Sequence, residues 1–196
     1  MTYRIGVYSG TFDPIHLGHM AFAEEAMRLC RLDRVIFLPE QRPRGKNQVT
    51  DIAHRIALIK RAITTNANLE VMQLTTEQFS VQKTLPMLRR ALGNSHLTFL
   101  VGSDVACTLR HWEDLGILLN EVSFAIGLRT GDTPDDMSAI MNQLEHDYST
   151  TIDHSLISTT EATMTSSQIR NGTADAQRLH PNILDYIQEH KLYRVL

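Results

Sequence analysis

Along this chain, apolar residues switch between strand-like runs and helical spacing almost from end to end. Tyr3 to Ser9 (YRIGVYS) is a short apolar run that predicts a strand. A turn containing glycine and proline separates it from Leu17 to Arg31, where Met20, Ala23, Met27 and Cys30 recur at helical spacing. Val35 to Leu38 (VIFL) is wholly apolar and is stopped by Pro39, the pattern of a strand buried on both faces. A polar, basic loop fills 39–49. After it, Thr50 is placed to N-cap a helix through Ile63, with Ile52, Ile56, Ile59 and Ile63 on one face.

The alternation continues with a strand near Leu69 to Leu74, a helix near Val81 to Leu92 and a strand at Leu97 to Val101. A helix follows near Glu113 to Leu119, then a strand at Val122 to Leu128 and a helix after Pro134 reaching about Tyr148. A further strand near Thr151 to Ile157 and a last helix from Pro181 to Glu189 complete the pattern. Strands separated by helices imply right-handed βαβ crossovers and a parallel sheet covered on both faces. The expected fold is α/β, a doubly wound parallel sheet of Rossmann-like type. No repeat, low-complexity tract or linker divides it, which predicts one domain over 1–196 with a helical C-terminal extension from about 164. Such sheets bind ligands outside the carboxyl ends of their strands. The loops after Ser9, Leu38, Val101 and Leu128 are therefore where function is expected.

Composition narrows the class. A length of 196 residues, 42% of them hydrophobic, is enough to bury a substantial core and excludes disordered or disulfide-scaffold readings. No apolar run approaches the ~20 residues that span a bilayer, and the N-terminus reads as a strand instead of a signal peptide. A soluble, cytoplasmic protein without a membrane partner is expected. The formal net charge of −3 provides no general field for nucleic acid, so an anionic ligand needs a local site. Cys30 and Cys107 form no Cys-x-x-Cys pair and read as packing thiols.

After the first strand comes Ser9-Gly10-Thr11-Phe12-Asp13-Pro14-Ile15-His16-Leu17-Gly18-His19. Gly10 lets the backbone turn sharply and approach a ligand, and a helix starting near His16 or Leu17 directs unpaired N–H groups back at that loop. Spacing of three puts His16 and His19 on one helix face. Three readings of the pair are open: histidines packed or solvated on a helix, a metal site lacking an evident third ligand, and stabilisation of charge on phosphoryl oxygens. A dinucleotide-binding loop is disfavoured because G-x-G-x-x-G is not present, although Glu40 stands where its acidic residue would. Asp13 is expected to stabilise the turn before Pro14.

The string Gly10-Thr-Phe-Asp-Pro-Ile-His16-Leu-Gly-His19 resembles the (H/T)-x-G-H signature of the nucleotidyltransferase superfamily. Met164-Thr-Ser166-Ser167-Gln-Ile169-Arg170 resembles its second signature, I-S-S-T-x-I-R. Within the superfamily, the chain is similar over nearly its whole length to the bacterial nicotinate-nucleotide adenylyltransferases. Phe37-Leu-Pro39 followed by Pro43-Arg-Gly-Lys46 resembles their F-L-P…P-P-H-K loop, and His54-Arg55 the H-R of their next helix. Gly102-Ser-Asp104 with Trp112, Arg129-Thr-Gly131, and the close Tyr186-Ile…Leu192-Tyr193 match further segments. Two places depart. Arg44 and Gly45 interrupt the P-P-H-K loop, and Phe79-Ser-Val-Gln-Lys-Thr84-Leu85 keeps only the closing T-L of S-Y-T-x-x-T-L.

The resemblance implies transfer of AMP from ATP, with Mg2+, to nicotinate mononucleotide, by direct attack on the α-phosphorus and release of pyrophosphate. It assigns His16, His19, Lys46 and Arg170 to catalysis. ATP would be held by Ser9, Gly10, Thr11, Phe12 and Gly18, by Gly102 and Asp104, and by Ser166, Ser167 and Ile169. The acceptor would be held by Thr84, Trp112 and Arg129. Plainer roles stand beside these: a solvated basic loop for Lys46, a surface arginine for Arg170, a capping aspartate for Asp104 and a core tryptophan for Trp112. Magnesium would arrive on the nucleotide, since the sequence contains no carboxylate cage. Other acceptors with the same chemistry are nicotinamide mononucleotide, phosphopantetheine or a cytidylyl-transfer substrate; a non-catalytic nucleotide-binding paralogue is the alternative from another class. A homo-oligomer is left open.

Overall fold

Apolar side chains alternate in direction along the predicted strands, and the strands lie in one sheet covered on both faces. The computed structural model describes residues 2–42, 48–73, 76–159, 165–172 and 179–193. Among them, β1 (Arg4–Gly10), β2 (Arg34–Pro39), β3 (Leu69–Val71), β4 (His96–Gly102), β5 (Ser123–Gly127) and β6 (His154–Ile157) pair in the order β3-β2-β1-β4-β5-β6. Every pairing is parallel, with Val7 opposite Ile36 on one side and Phe99 on the other.

Ile5, Val7, Ile36, Leu38, Phe99 and Phe124 face a layer formed by α3 (Val81–Leu92), α5 (Leu115–Glu121) and α6 (Pro134–Tyr148). Val35, Phe37, Leu100 and Ala125, displaced by one residue along the same strands, face α1 (Leu17–Cys30), α2 (Ile52–Ala62) and α8 (Pro181–Glu189). Each fully buried Ile, Leu or Phe contributes roughly 1.5–3 kcal/mol to holding these layers together. At the carboxyl end of β5, Gly127 lets the Phe22 ring of α1 lie directly on the strand, since a side-chain carbon there would stand 3.0 Å from that ring.

The chain runs outward through β1, β2 and β3, then returns to lay β4 on the other side of β1. The loops leaving β1 and β4 therefore diverge, and the crevice between them is the switch point at which such sheets hold ligands.

Several boundaries differ from the sequence expectation. The cap of α2 is Asp51, whose carboxylate accepts from the Ala53 N–H at 2.8 Å, and the Thr50 carbonyl instead serves Arg55. Between β4 and α5 lie α4 (Ser103–Ala106) and a 3₁₀ turn at Leu109–His111, too short to show apolar periodicity. They displace the next helix to begin at Leu115, after Asp114 in a left-handed conformation with φ of 58°. Strand β6 begins at His154 instead of Thr151. Cys107 is exposed, so it is not the packing thiol expected, while Cys30 is half-buried. Among the described residues, no helix is long and apolar enough to cross a membrane.

Candidate active site

The crevice at the carboxyl ends of β1, β4 and β5 encloses a cavity of about 680 Å³. Ser9, Gly10, Thr11 and Phe12 form its wall below β1, and His16, Gly18 and His19 belong to the helix that follows. The expectation for Gly10 is corrected in its reason. The left-handed residue is Phe12, with φ of 49°, and Gly10 makes room for the Phe12 ring, which would lie 3.1 Å from a side-chain carbon at position 10. Phe12 is held there by packing edge-on to Tyr8, Phe37 and His19, which fixes a conformation that a bulky side chain adopts at some cost.

Asp13 does stabilise the turn. Buried to 1% exposure, its carboxylate accepts from the Tyr193 hydroxyl at 2.8 Å and from the Thr50 N–H at 3.3 Å, and the Asp13–Pro14 peptide is cis. Beneath the same loop, Arg55 is fully buried. Its guanidinium donates to the carbonyls of Thr11 and Glu40 at 2.8 Å, Thr50 at 2.7 Å and Gln41 at 3.1 Å. One side chain thus ties the β1–α1 loop to both ends of the segment between β2 and α2. Burial pulls the Arg55 pKa down, opposed by Asp13, Tyr193, Asp51 and Glu40, and an arginine keeps its charge under these conditions.

His16 is the N-cap of α1, and its N–H donates to Nδ1 of His19 at 3.2 Å. Because that nitrogen accepts, a neutral His19 carries its proton on Nε2. The two ring centroids lie 3.7 Å apart, with the planes tilted by 34°. His16 is 5% exposed, and burial, reinforced by the charge of Arg129, pulls its pKa down to about 3. It is a neutral imidazole near pH 7. The His16 side chain lines the cavity, while its Nδ1 is buried beneath the cavity surface.

The opposite wall follows β4 and β5. Gly102, Asp104, Trp112 and Arg129 all line the cavity. Asp104 and Arg129 form an ion pair at 3.0 Å, and the Arg129 N–H donates to Asp132 at 2.7 Å. Trp112 packs on Phe79 with centroids 5.5 Å apart, beside the core, and also lines the cavity.

A third side comes from α7 (Ser166–Arg170). Its cap is Thr165, whose hydroxyl accepts from the Gln168 N–H while Gln168 reaches back to Thr165. Ser166 instead donates to the Pro14 carbonyl at 3.0 Å, and Ser167 accepts from Arg170 at 2.9 Å. Arg170 also donates to the Asp13 carbonyl at 2.7 Å, so it is no free surface arginine. Ser166, Ser167 and Arg170 line the cavity.

Two expected site residues, Thr84 and Ile169, do not. Thr84 is fully buried in α3, its hydroxyl accepting from the Ser80 N–H at 3.0 Å. Ile169 is 3% exposed and packs in the layer that contains Phe12 and Ile15. Lys46 lies outside the described residues. Conversely, Tyr8 and Glu40 line the cavity unanticipated. Burial raises the pKa of Tyr8, which keeps its hydroxyl neutral, and Glu40 accepts from Ser9 and from the Phe79 N–H, each at 3.3 Å. Their signal was only adjacency to the strand ends.

Known proteins agree with this geometry. The cytidylyltransferase-like family matches residues 7–165. A protein of Solibacter usitatus named "probable nicotinate-nucleotide adenylyltransferase" is 32% identical over 97% of this chain and 99% of its own. A Gemmatimonas aurantiaca protein of the same name is 30% identical over 97% of this chain and 92% of its own. Among solved structures, the nicotinic acid mononucleotide adenylyltransferase of Plasmodium falciparum, complexed with NaAD, superposes with a TM-score of 0.77 over 97% of each chain. At 20% identity, that likeness speaks for the fold. The family match spans most of the chain and includes the β1–α1 loop, both histidines and the wall after β4 and β5; the chain belongs to the cytidylyltransferase-like family and is a nucleotidyltransferase.

Proposed function

We propose that this chain transfers AMP from ATP to nicotinate mononucleotide, giving deamido-NAD and pyrophosphate. A phosphate oxygen of the mononucleotide attacks the α-phosphorus of ATP, the bond from that phosphorus to the bridging oxygen breaks, and pyrophosphate departs with the electron pair. The reaction needs no protein nucleophile, so the residues contribute position and charge stabilisation. His19, with Nε2 as donor, meets the phosphoryl oxygens as negative charge builds, and neutral His16 lines the cavity beside it. Amides at Gly10 to Phe12 and the N-terminus of α1 cradle the phosphates. Arg170, Ser166 and Ser167 hold the departing phosphates, Asp104 the ribose of ATP, and Trp112 and Arg129 the acceptor.

Magnesium enters on the triphosphate. Among the described residues no three His, Cys, Asp or Glu side chains gather, and the cavity carboxylates Glu40 and Asp104 are already engaged.

The observation that carries the reading is the close-packed His16–His19 pair at the head of α1, under the switch point of a sheet whose relatives bear this name. The test is pyrophosphate release from ATP and Mg2+ with separate acceptors: nicotinate mononucleotide, nicotinamide mononucleotide and phosphopantetheine. Release with nicotinate mononucleotide at the highest kcat/KM is expected. Release with phosphopantetheine alone would overturn the acceptor, and no release with any would overturn the activity.

A further inference from the structure

Asp104 and Arg129 follow adjacent strands, β4 and β5, whose last residues pair as Gly102 and Gly127. Nη2 of Arg129 meets Oδ2 of Asp104 at 3.0 Å, with both side chains on the cavity surface at 46% and 56% exposure respectively. The strand end is shaped for this pair. A side-chain carbon at Gly102 would stand 2.5 Å from Oδ1 of Asp104 and 3.7 Å from Nη2 of Arg129, so any larger residue there displaces the carboxylate.

Each partner is half of a recognition element for a different chemistry. A carboxylate accepts from paired hydroxyls such as a ribose diol, whereas a guanidinium donates to phosphate or carboxylate oxygens. Without ligand each satisfies the other. A nucleoside that draws the carboxylate away exposes the guanidinium, and an anion that draws the guanidinium away exposes the carboxylate.

Resting on the reading that ATP and an anionic mononucleotide share this cavity, we propose that the Asp104–Arg129 pair is an exchange element that couples them. The ribose of ATP takes Asp104, the released Arg129 takes an anionic group of the mononucleotide, and each substrate strengthens binding of the other. The coupling is reciprocal by thermodynamic necessity. Its size is bounded by what a half-exposed ion pair contributes, which corresponds to about two- to fivefold in affinity.

The test is calorimetric titration of the whole chain with nicotinate mononucleotide, with and without saturating α,β-methylene ATP, whose carbon bridge prevents transfer. In the unmodified chain the analogue should lower the mononucleotide Kd about two- to fivefold. In Asp104→Asn the mononucleotide should bind with about that improved Kd in the absence of analogue, and the coupling should vanish. In Arg129→Gln the analogue alone should bind more tightly while the mononucleotide weakens. Both side chains are half exposed, so neither variant opens the core, and each tests the exchange independently. Coupling that is absent in the unmodified chain, or that survives in both variants, overturns the proposal. Turnover of nicotinate mononucleotide, measured separately, distinguishes the outcomes: turnover without coupling sinks the exchange alone, while failure of the mononucleotide to bind sinks both.

Discussion

The N–H of His16 donates to Nδ1 of His19 across 3.2 Å, and the two ring centroids lie 3.7 Å apart. This contact lets the helix cap select the tautomer of the imidazole assigned to the phosphates. His19→Ala removes a preorganised donor and should lower kcat for pyrophosphate release by a factor of roughly 10² or more. A loss of tenfold or less, with KM for ATP unchanged, would mean that the chemistry lies elsewhere.

Protonation of His16 couples to stability with a definite sign. Its pKa is about 3 in the folded chain and near 6.5 when unfolded. Between those values the unfolded state binds the extra proton, so this residue's contribution to stability is present above about pH 6.5 and is lost as pH falls toward 3. The slope approaches about 1.4 kcal/mol per pH unit in the middle of that window. Urea unfolding of the unmodified chain and of His16→Asn at pH 7 and pH 5 should show the smaller loss on acidification in the variant. Equal losses would contradict a neutral, buried His16.

Arg55→Met leaves four carbonyls from the loops around the cavity without their donor. Stability in urea should fall by roughly 3–5 kcal/mol, as when one partner of a buried charged network is removed. A change under 1 kcal/mol would show that water replaces the guanidinium.

Tyr193→Phe takes a hydroxyl donor from the buried Asp13 carboxylate. A stability loss of about 1–3 kcal/mol is expected. Because Asp13 also anchors Arg170 through its carbonyl, kcat should fall more than the ATP KM rises. A purely thermal effect, with kcat intact below the transition, would confine Tyr193 to folding.

Much of this architecture was legible in the residues, because strand runs such as VIFL at 35–38 and the glycine-rich turn with His16 and His19 carry local signals. Helix α8 begins and ends where the Pro181 to Glu189 pattern places it. Less legible was whatever depends on distant partners. Nothing local marks Arg55 as fully buried, since its acceptors lie on three other segments. Thr84 looked like a ligand contact because its motif partly matches the family, yet its hydroxyl closes the first turn of α3. Ile169 carries its signature position through packing, while the polar neighbours on α7 reach the cavity. The reason for Gly10 lay in the Phe12 ring, which only the folded loop brings over it.

The central claim is adenylyl transfer to a pyridine mononucleotide within this cavity, and mass-spectrometric identification of products tests it most directly. With ATP, Mg2+ and nicotinate mononucleotide, the purified chain should form deamido-NAD and pyrophosphate in equal amounts, and His19→Ala should form them at about a hundredth of the rate or less. ATP consumed to ADP or AMP without deamido-NAD, or deamido-NAD formed equally well by the variant, would contradict it.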